Sequence, residues 1–146
     1  MCEKAGPQIE DVTVVLLRQV YPSWLTEDGE PSSQAFYPWR DIDQGCLSVD
    51  HGGLTTAESA HALFTTLPPD GFGMASVGVW GLSVAEVVEV GVSAWCDPVP
   101  AADGKPANPA HALVEFEGKN DKARKAAGRV LKVKAIARGR LHPRAA

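Results

Sequence analysis

The chain lacks most of the features that would assign it to a function class at once. No apolar run approaches the roughly 20 residues that a bilayer-spanning helix needs. The opening MCEKAGPQIEDV also lacks the charged-then-apolar order of an export signal, so a cytoplasmic protein without membrane attachment is expected. Cysteines number only three, Cys2, Cys46 and Cys96, with no Cys-x-x-Cys spacing. They are expected to be buried or spare thiols, forming neither a disulfide framework nor a thiolate zinc site. None has an adjacent basic motif that would activate a nucleophilic thiol. There is no G-x-S-x-G, no P-loop and no G-x-G-x-x-G, and Gly71-Phe72-Gly73 precedes a strand pattern instead of a helix, which removes the phosphate-cradling geometry. No internal repeat occurs at any period.

Positive charge is scarce along most of the sequence. Residues 1–118 hold four of the 14 Lys/Arg and 17 of the 18 Asp/Glu, whereas residues 119–146 hold ten Lys/Arg and one Asp/Glu. The formal net charge of -4 therefore conceals an acidic body and a basic end, either of which can meet an oppositely charged partner, including each other.

What is present reads as one folded unit. A chain of 146 residues, 45% hydrophobic, can bury a core without metal or disulfide staples. Residues 1–11 read as a flexible arm, 12–139 as a single globular domain and 140–146 as a basic tail. Val12 to Val20 is apolar on both alternating faces, the pattern of a central strand with both sides covered. The segment SQAFYPWR reads as a short edge strand interrupted by Pro38. Strands are also expected at 46–50, 74–82, 92–96 and 111–117, with Gly78 and Gly81 marking a bulge or a close backbone approach. Thr55 with Glu58 and Ser83 with Glu86 have capping-box spacing, which places a helix from Thr55 to just before Pro68-Pro69 and a second from Ser83 to about Val90. Residues 97–110, with four prolines, form the longest surface loop. The longest helix starts at Asn120 or Asp121 and ends at Gly139, with a stripe of Ala123, Ala126, Ala127, Val130 and Ala137 turned to the body. The fold class is α+β: a small mixed sheet of about five strands packed with two short helices and a longer C-terminal one.

Several constellations could carry chemistry. Asp50, His51 and His61 are suitable ligand types, but their spacing fits no metal motif, and neither a metal nor a cofactor is expected. His111 opens a strand directly after the long loop and shares a face with Glu115 and Glu117. At about 3.3 Å per residue, His111 and Glu115 lie roughly 13 Å apart, too far for a direct dyad. Glu115 and Glu117 lie roughly 6.6 Å apart and could divide acid and base roles. At isolated positions, Arg18 on an early strand, Ser32 and Ser33 on the following segment and Glu115-Phe116-Glu117 on a late one, the chain resembles the arginine-serine-glutamate class of ADP-ribosyltransferases. That resemblance implies dinucleotide clamping by Arg18, site support by Ser33 and transfer at Glu117.

Binding signals point elsewhere. Tyr21, Trp24, Phe36, Tyr37 and Trp39 crowd into a Pro-rich stretch whose Glu27, Asp28, Glu30, Asp41 and Asp43 would repel phosphates. Exposed aromatics there, with Trp24, Tyr37 and Trp39 as the candidates, suit a protein partner. Lys125, Arg129 and Lys132 on the last helix could instead release counterions from a nucleic-acid backbone. The leading expectation is a small bacterial protein-interaction module, antitoxin-like or immunity-like, that binds a basic partner. The alternatives are an enzyme acting on a nucleotide or nucleic acid through Arg18, His111, Glu115 and Glu117, and nonspecific nucleic-acid binding by the basic helix.

Overall fold

The computed structural model describes residues 2–66, 75–102 and 105–143. Five strands, β1 (Val15–Val20), β2 (Cys46–His51), β3 (Gly78–Ser83), β4 (Ser93–Cys96) and β5 (His111–Glu115), form one sheet in the order β3-β1-β2-β5-β4. Every pairing is antiparallel, so the sheet is not mixed. The apolar runs fix strand positions but not direction, which is why sequence reading left the pairing open. Gly81 is the close-approach case, because a Cβ there would lie 2.7 Å from Leu141 Cδ1 and 2.8 Å from Val15 Cγ1.

The sheet has one closed face and one partly open face. Leu16 and Val20 of β1, Leu47 and Val49 of β2, Leu82 of β3 and Val114 of β5 point into the main core. Over them lie α2 (Val84–Glu89), α3 (Asp121–Arg138) and the 3-10 turn Ser33–Phe36. That turn replaces the expected edge strand in SQAFYPWR. Its Ala35 and Phe36 are fully buried, and it supports α3 instead of extending the sheet. On the opposite face, α1 (Ala57–Thr66) covers β1 and β3 by seating Ala60 against Leu17 and Val79.

The caps explain where the helices begin. Ser83 and Glu86 form the expected capping box, with Ser83 N–H donating to Glu86 Oε1 at 2.8 Å and Glu86 N–H to Ser83 Oγ at 3.1 Å. Gly91 at φ 81° ends that helix as read. Asn120 caps α3 by accepting from Ala123 N–H at 2.9 Å. For α1 the cap is one residue later than expected: Thr56 Oγ1, not Thr55, accepts from Ser59 N–H at 3.1 Å. The expected stops at Pro68-Pro69, the Gly71-Phe72-Gly73 turn and the strand start at Met74 lie outside the described residues, as do residues 144–146 of the tail.

The docked stripe of α3 also differs from the expected one. Ala127, Gly128, Leu131 and Ala135 are buried, whereas Ala126, Val130 and Ala137 face solvent. Leu131, the large residue that the alanine stripe passed over, selects the face. Gly128 is needed there because an added Cβ would meet Tyr37 Cδ1 at 2.5 Å.

Segment 1–11, expected as a loose arm, lies against the sheet. Ile9 is in the main core and its N–H donates to Ala94 O at 2.8 Å. Lys4 pairs with Glu115, and Cys2 is disulfide-bonded to Cys46. This overturns the reading of unpaired thiols; only Cys96 is free. Spacing failed as a guide because the partners are 44 residues apart and meet through the arm's path along the sheet.

Candidate functional site

The partly open face carries the site. Register places Leu17 opposite Asp50, Asp50 opposite His111, and Ser48 opposite Leu113, so these side chains share one face of β1, β2 and β5. α1 stands along one side. Along the other run residues 97–102 and 105–110 of the proline-rich loop, paired through the bridges Val99 with Asn108 and Ala102 with Lys105. Between them is a cavity of about 330 Å³. Leu17, Gln19, Ser48, Asp50 and His111 make its floor, Leu63 and Phe64 one wall, and Val99 and Pro100 the other. Tyr21, Arg18 and Arg40 close one end, and Lys105 reaches it from the loop.

Arg18 is 7% exposed and held by backbone alone, its Nε donating to Ala35 O at 2.8 Å and its Nη1 to Ser48 O at 2.9 Å. Its guanidinium stacks over Trp24 at 4.9 Å. Burial pushes its pKa down to about 10, partly offset by the field of Asp43, so it remains charged at neutral pH. Among the described residues no carboxylate makes an ion pair with it. Arg40 pairs with Asp43 at 2.8 Å and lies 5.3 Å from the same Trp24 ring. Two guanidiniums therefore face one carboxylate at this end of the cavity. A buried cation without an ion pair is expensive to maintain.

The floor has two more unbalanced groups. Gln19 is 7% exposed; its Oε1 accepts from Ser76 Oγ at 2.7 Å, and its Nε2 has no partner among the described residues. Asp50 is buried, which raises its pKa, an effect opposed by a 2.9 Å hydrogen bond from Asn108 Nδ2 and by the nearby His111. His111 Nδ1 lies 3.0 Å from both Asp97 O and Asp97 Oδ2. A backbone carbonyl only accepts, so Nδ1 is the nitrogen that donates, and in the neutral ring Nε2 is the acceptor.

Of the four residues expected around one cleft, Arg18 and His111 line this cavity, while Glu115 and Glu117 line a second one of about 310 Å³, to which Arg40 also contributes. Glu115 is occupied by Lys4 Nζ at 2.5 Å. Cys2 and Cys46 lie beside it, all three donor groups within 4.8 Å, but the sulfurs are bonded to one another and are not free to ligate a metal. Ser32 and Ser33 begin a 3-10 turn instead of a strand. Asp97 was missed from sequence. The signal was available, since strands 93–96 and 111–115 flank one loop and an antiparallel hairpin sets residue 97 beside residue 111.

The expected binding residues disperse. Trp24 is in the core and Tyr37 packs on Gly128, so of the three aromatics only Trp39 is exposed, at 45%. Its neighbour Ile42 is exposed too. On α3, Lys125 and Arg129 are exposed and Lys132 half-buried. Among the described residues only Arg138 of α3 makes an ion pair with the body, to Glu86 at 2.7 Å. Burial acts to raise the Glu86 pKa, but that pair and the hydrogen bond from Ser83 N–H outweigh it and leave it lowered. No helix among the described residues is long and apolar enough to cross a membrane. No protein-family model, curated protein or solved structure matches the chain.

Proposed function

We propose that the cavity between α1 and the loop 97–110 binds a small anionic ligand with a flat, largely apolar body, of the nucleotide class. One observation carries this reading: residues 1–118 contain only four Lys/Arg among 17 acids, and three of the four, Arg18, Arg40 and Lys105, line this one cavity. An acidic surface repels anions, so cations gathered in a half-enclosed concavity focus them there. Arg18 lacks a carboxylate partner, a deficit that a ligand phosphate or carboxylate would fill through charge-assisted hydrogen bonds. Tyr21 and Phe64, with ring centroids 6.0 Å apart, supply an aromatic wall for a planar group. The unpartnered Gln19 Nε2 offers a further donor.

The test is calorimetric titration of the full chain with ATP, ADP, AMP and NAD. At least one should bind, and Arg40→Gln and Lys105→Gln should each weaken it by roughly 10-fold or more, since a hydrogen bond to a charged group contributes about 1.5–3 kcal/mol. No binding at millimolar concentration, or affinity indifferent to both substitutions, overturns the reading. A protein-interaction role, antitoxin-like or immunity-like, is the second reading. It is supported by Trp39 and Ile42, which stand exposed around Asp41. It predicts that Trp39→Ala abolishes capture of a basic partner while leaving nucleotide binding intact.

A further inference from the structure

We propose that this cavity is a hydrolytic active site, in which His111 as general base and Asp50 as general acid cleave a phosphoric ester or anhydride bond of the bound nucleotide. The inference rests on ligand binding in the cavity and adds a reaction to it.

The geometry points to paired acid and base roles. Asp97 accepts the His111 Nδ1 proton through both its backbone oxygen and Oδ2, each at 3.0 Å. The ring is thereby fixed in the tautomer whose Nε2 can take a proton. Ala5 N–H donates to the other carboxylate oxygen, Asp97 Oδ1, at 2.9 Å, so Asp97 is itself held in place. Asp50 lies directly across the strand pair from His111 on the cavity floor. Asn108 Nδ2 occupies Asp50 Oδ1, leaving Oδ2 for a proton. Burial raises the Asp50 pKa, the direction that an acid requires, against the opposing hydrogen bond from Asn108.

The step balances with water and the nucleotide as the only reactants. His111 Nε2 takes a proton from water as the water oxygen forms a new bond to phosphorus. The bond from phosphorus to the leaving oxygen breaks, and that oxygen takes the proton of the Asp50 carboxyl. No electrons are gained or lost. His111 imidazolium then releases its proton to solvent water and the Asp50 carboxylate takes one up from solvent, which resets the site. The cations Arg18, Arg40 and Lys105 hold the phosphate oxygens while charge builds on them. Asp97 is a positioning residue, since it acts only through His111.

The experiment follows ATP and NAD by phosphorus NMR with wild-type protein, His111→Gln, Asp50→Asn and Asp97→Asn, alongside calorimetry of the same proteins. Wild type should release phosphate or nucleoside phosphate from a nucleotide that it binds. His111→Gln should lose about 100-fold or more in rate, the usual contribution of a general base, while calorimetry still shows nucleotide bound. Asp97→Asn should lower kcat with KM unchanged, a split that a merely structural role would not give. If His111→Gln melts early, His111→Asn serves in its place. Binding without turnover overturns the catalytic inference and leaves the binding reading standing. Turnover that survives both His111 variants overturns it as well. Absence of binding overturns both.

Discussion

Gly128→Ala tests how α3 is seated, and two opposing magnitudes decide its sign. In the interior of a helix, alanine is favoured over glycine by about 1 kcal/mol. At Gly128, however, the new Cβ would lie 2.5 Å from Tyr37 Cδ1 and 3.1 Å from Tyr37 Cβ and Cγ. Carbon pairs rest at about 3.5–4.0 Å, so ring or helix must move by roughly an ångström, and overpacking of this kind costs about 1–3 kcal/mol. Tyr37 is half-buried and can yield partly, which places the steric cost near 2 kcal/mol and the net loss near 1 kcal/mol. For a chain of this size that lowers the melting temperature by about 2–4 °C. The assay is urea unfolding of Gly128→Ala, Tyr37→Ala and the double variant. With the ring gone the alanine should become stabilising by about 1 kcal/mol. A single Gly128→Ala variant more stable than wild type would show that Tyr37 does not lie against the helix, and the account of α3 docking would fail.

Three further outcomes are expected. Reducing the Cys2 to Cys46 disulfide, or replacing Cys46 by Ser, should lower stability by up to about 4 kcal/mol, the loop-closure value for the 44-residue separation; unchanged urea unfolding with and without a dithiol reductant would contradict the pairing. Asp50 has a folded-state pKa above that of a free aspartate, so its contribution to stability falls as pH rises through the window between the unfolded and folded values. Asp50→Asn keeps the acceptor for Asn108 and should therefore flatten that part of the stability profile and raise stability at pH 7; a steeper profile would refute the burial argument. Charge reversal at Lys125, Arg129 and Lys132 should leave nucleotide binding in the cavity unchanged while removing any salt-sensitive affinity for DNA; loss of nucleotide binding would move the site to α3.

The sequence made much of the framework legible and little of the site. Five strand positions, though not the edge strand expected in SQAFYPWR, the capping box at Ser83 and Glu86, the Asn120 cap and the helix ends at Gly91 and Gly139 follow from local chemistry, and local chemistry is what sequence patterns record. Pairing direction and the face that α3 buries depend on tertiary fit, and Leu131 outweighed the row of alanines that suggested the other face. Arg18 and His111 were expected around one cleft with Glu115 and Glu117, and only the first two line the same cavity. The walls of that cavity were not legible, because one of them is set by residues 97–102 pairing back on 105–110, a path that prolines mark as loop but do not direct. The crowded aromatics misled for a related reason. Trp24 and Tyr37 serve packing, one under Arg18 and the other against Gly128, and composition does not distinguish a core aromatic from an exposed one.

The cations around the cavity are the centre of this account, and nitrogen–proton correlation spectra of the full chain during titration with ATP locate the binding site directly. Shifts concentrated at Gln19, Ser48, Asp50, Phe64, Lys105 and His111, together with the Arg18 side-chain Nε–H, are the expected result. Shifts confined to Lys122, Lys125 and Arg129 on α3, with the cavity residues unmoved, would contradict it.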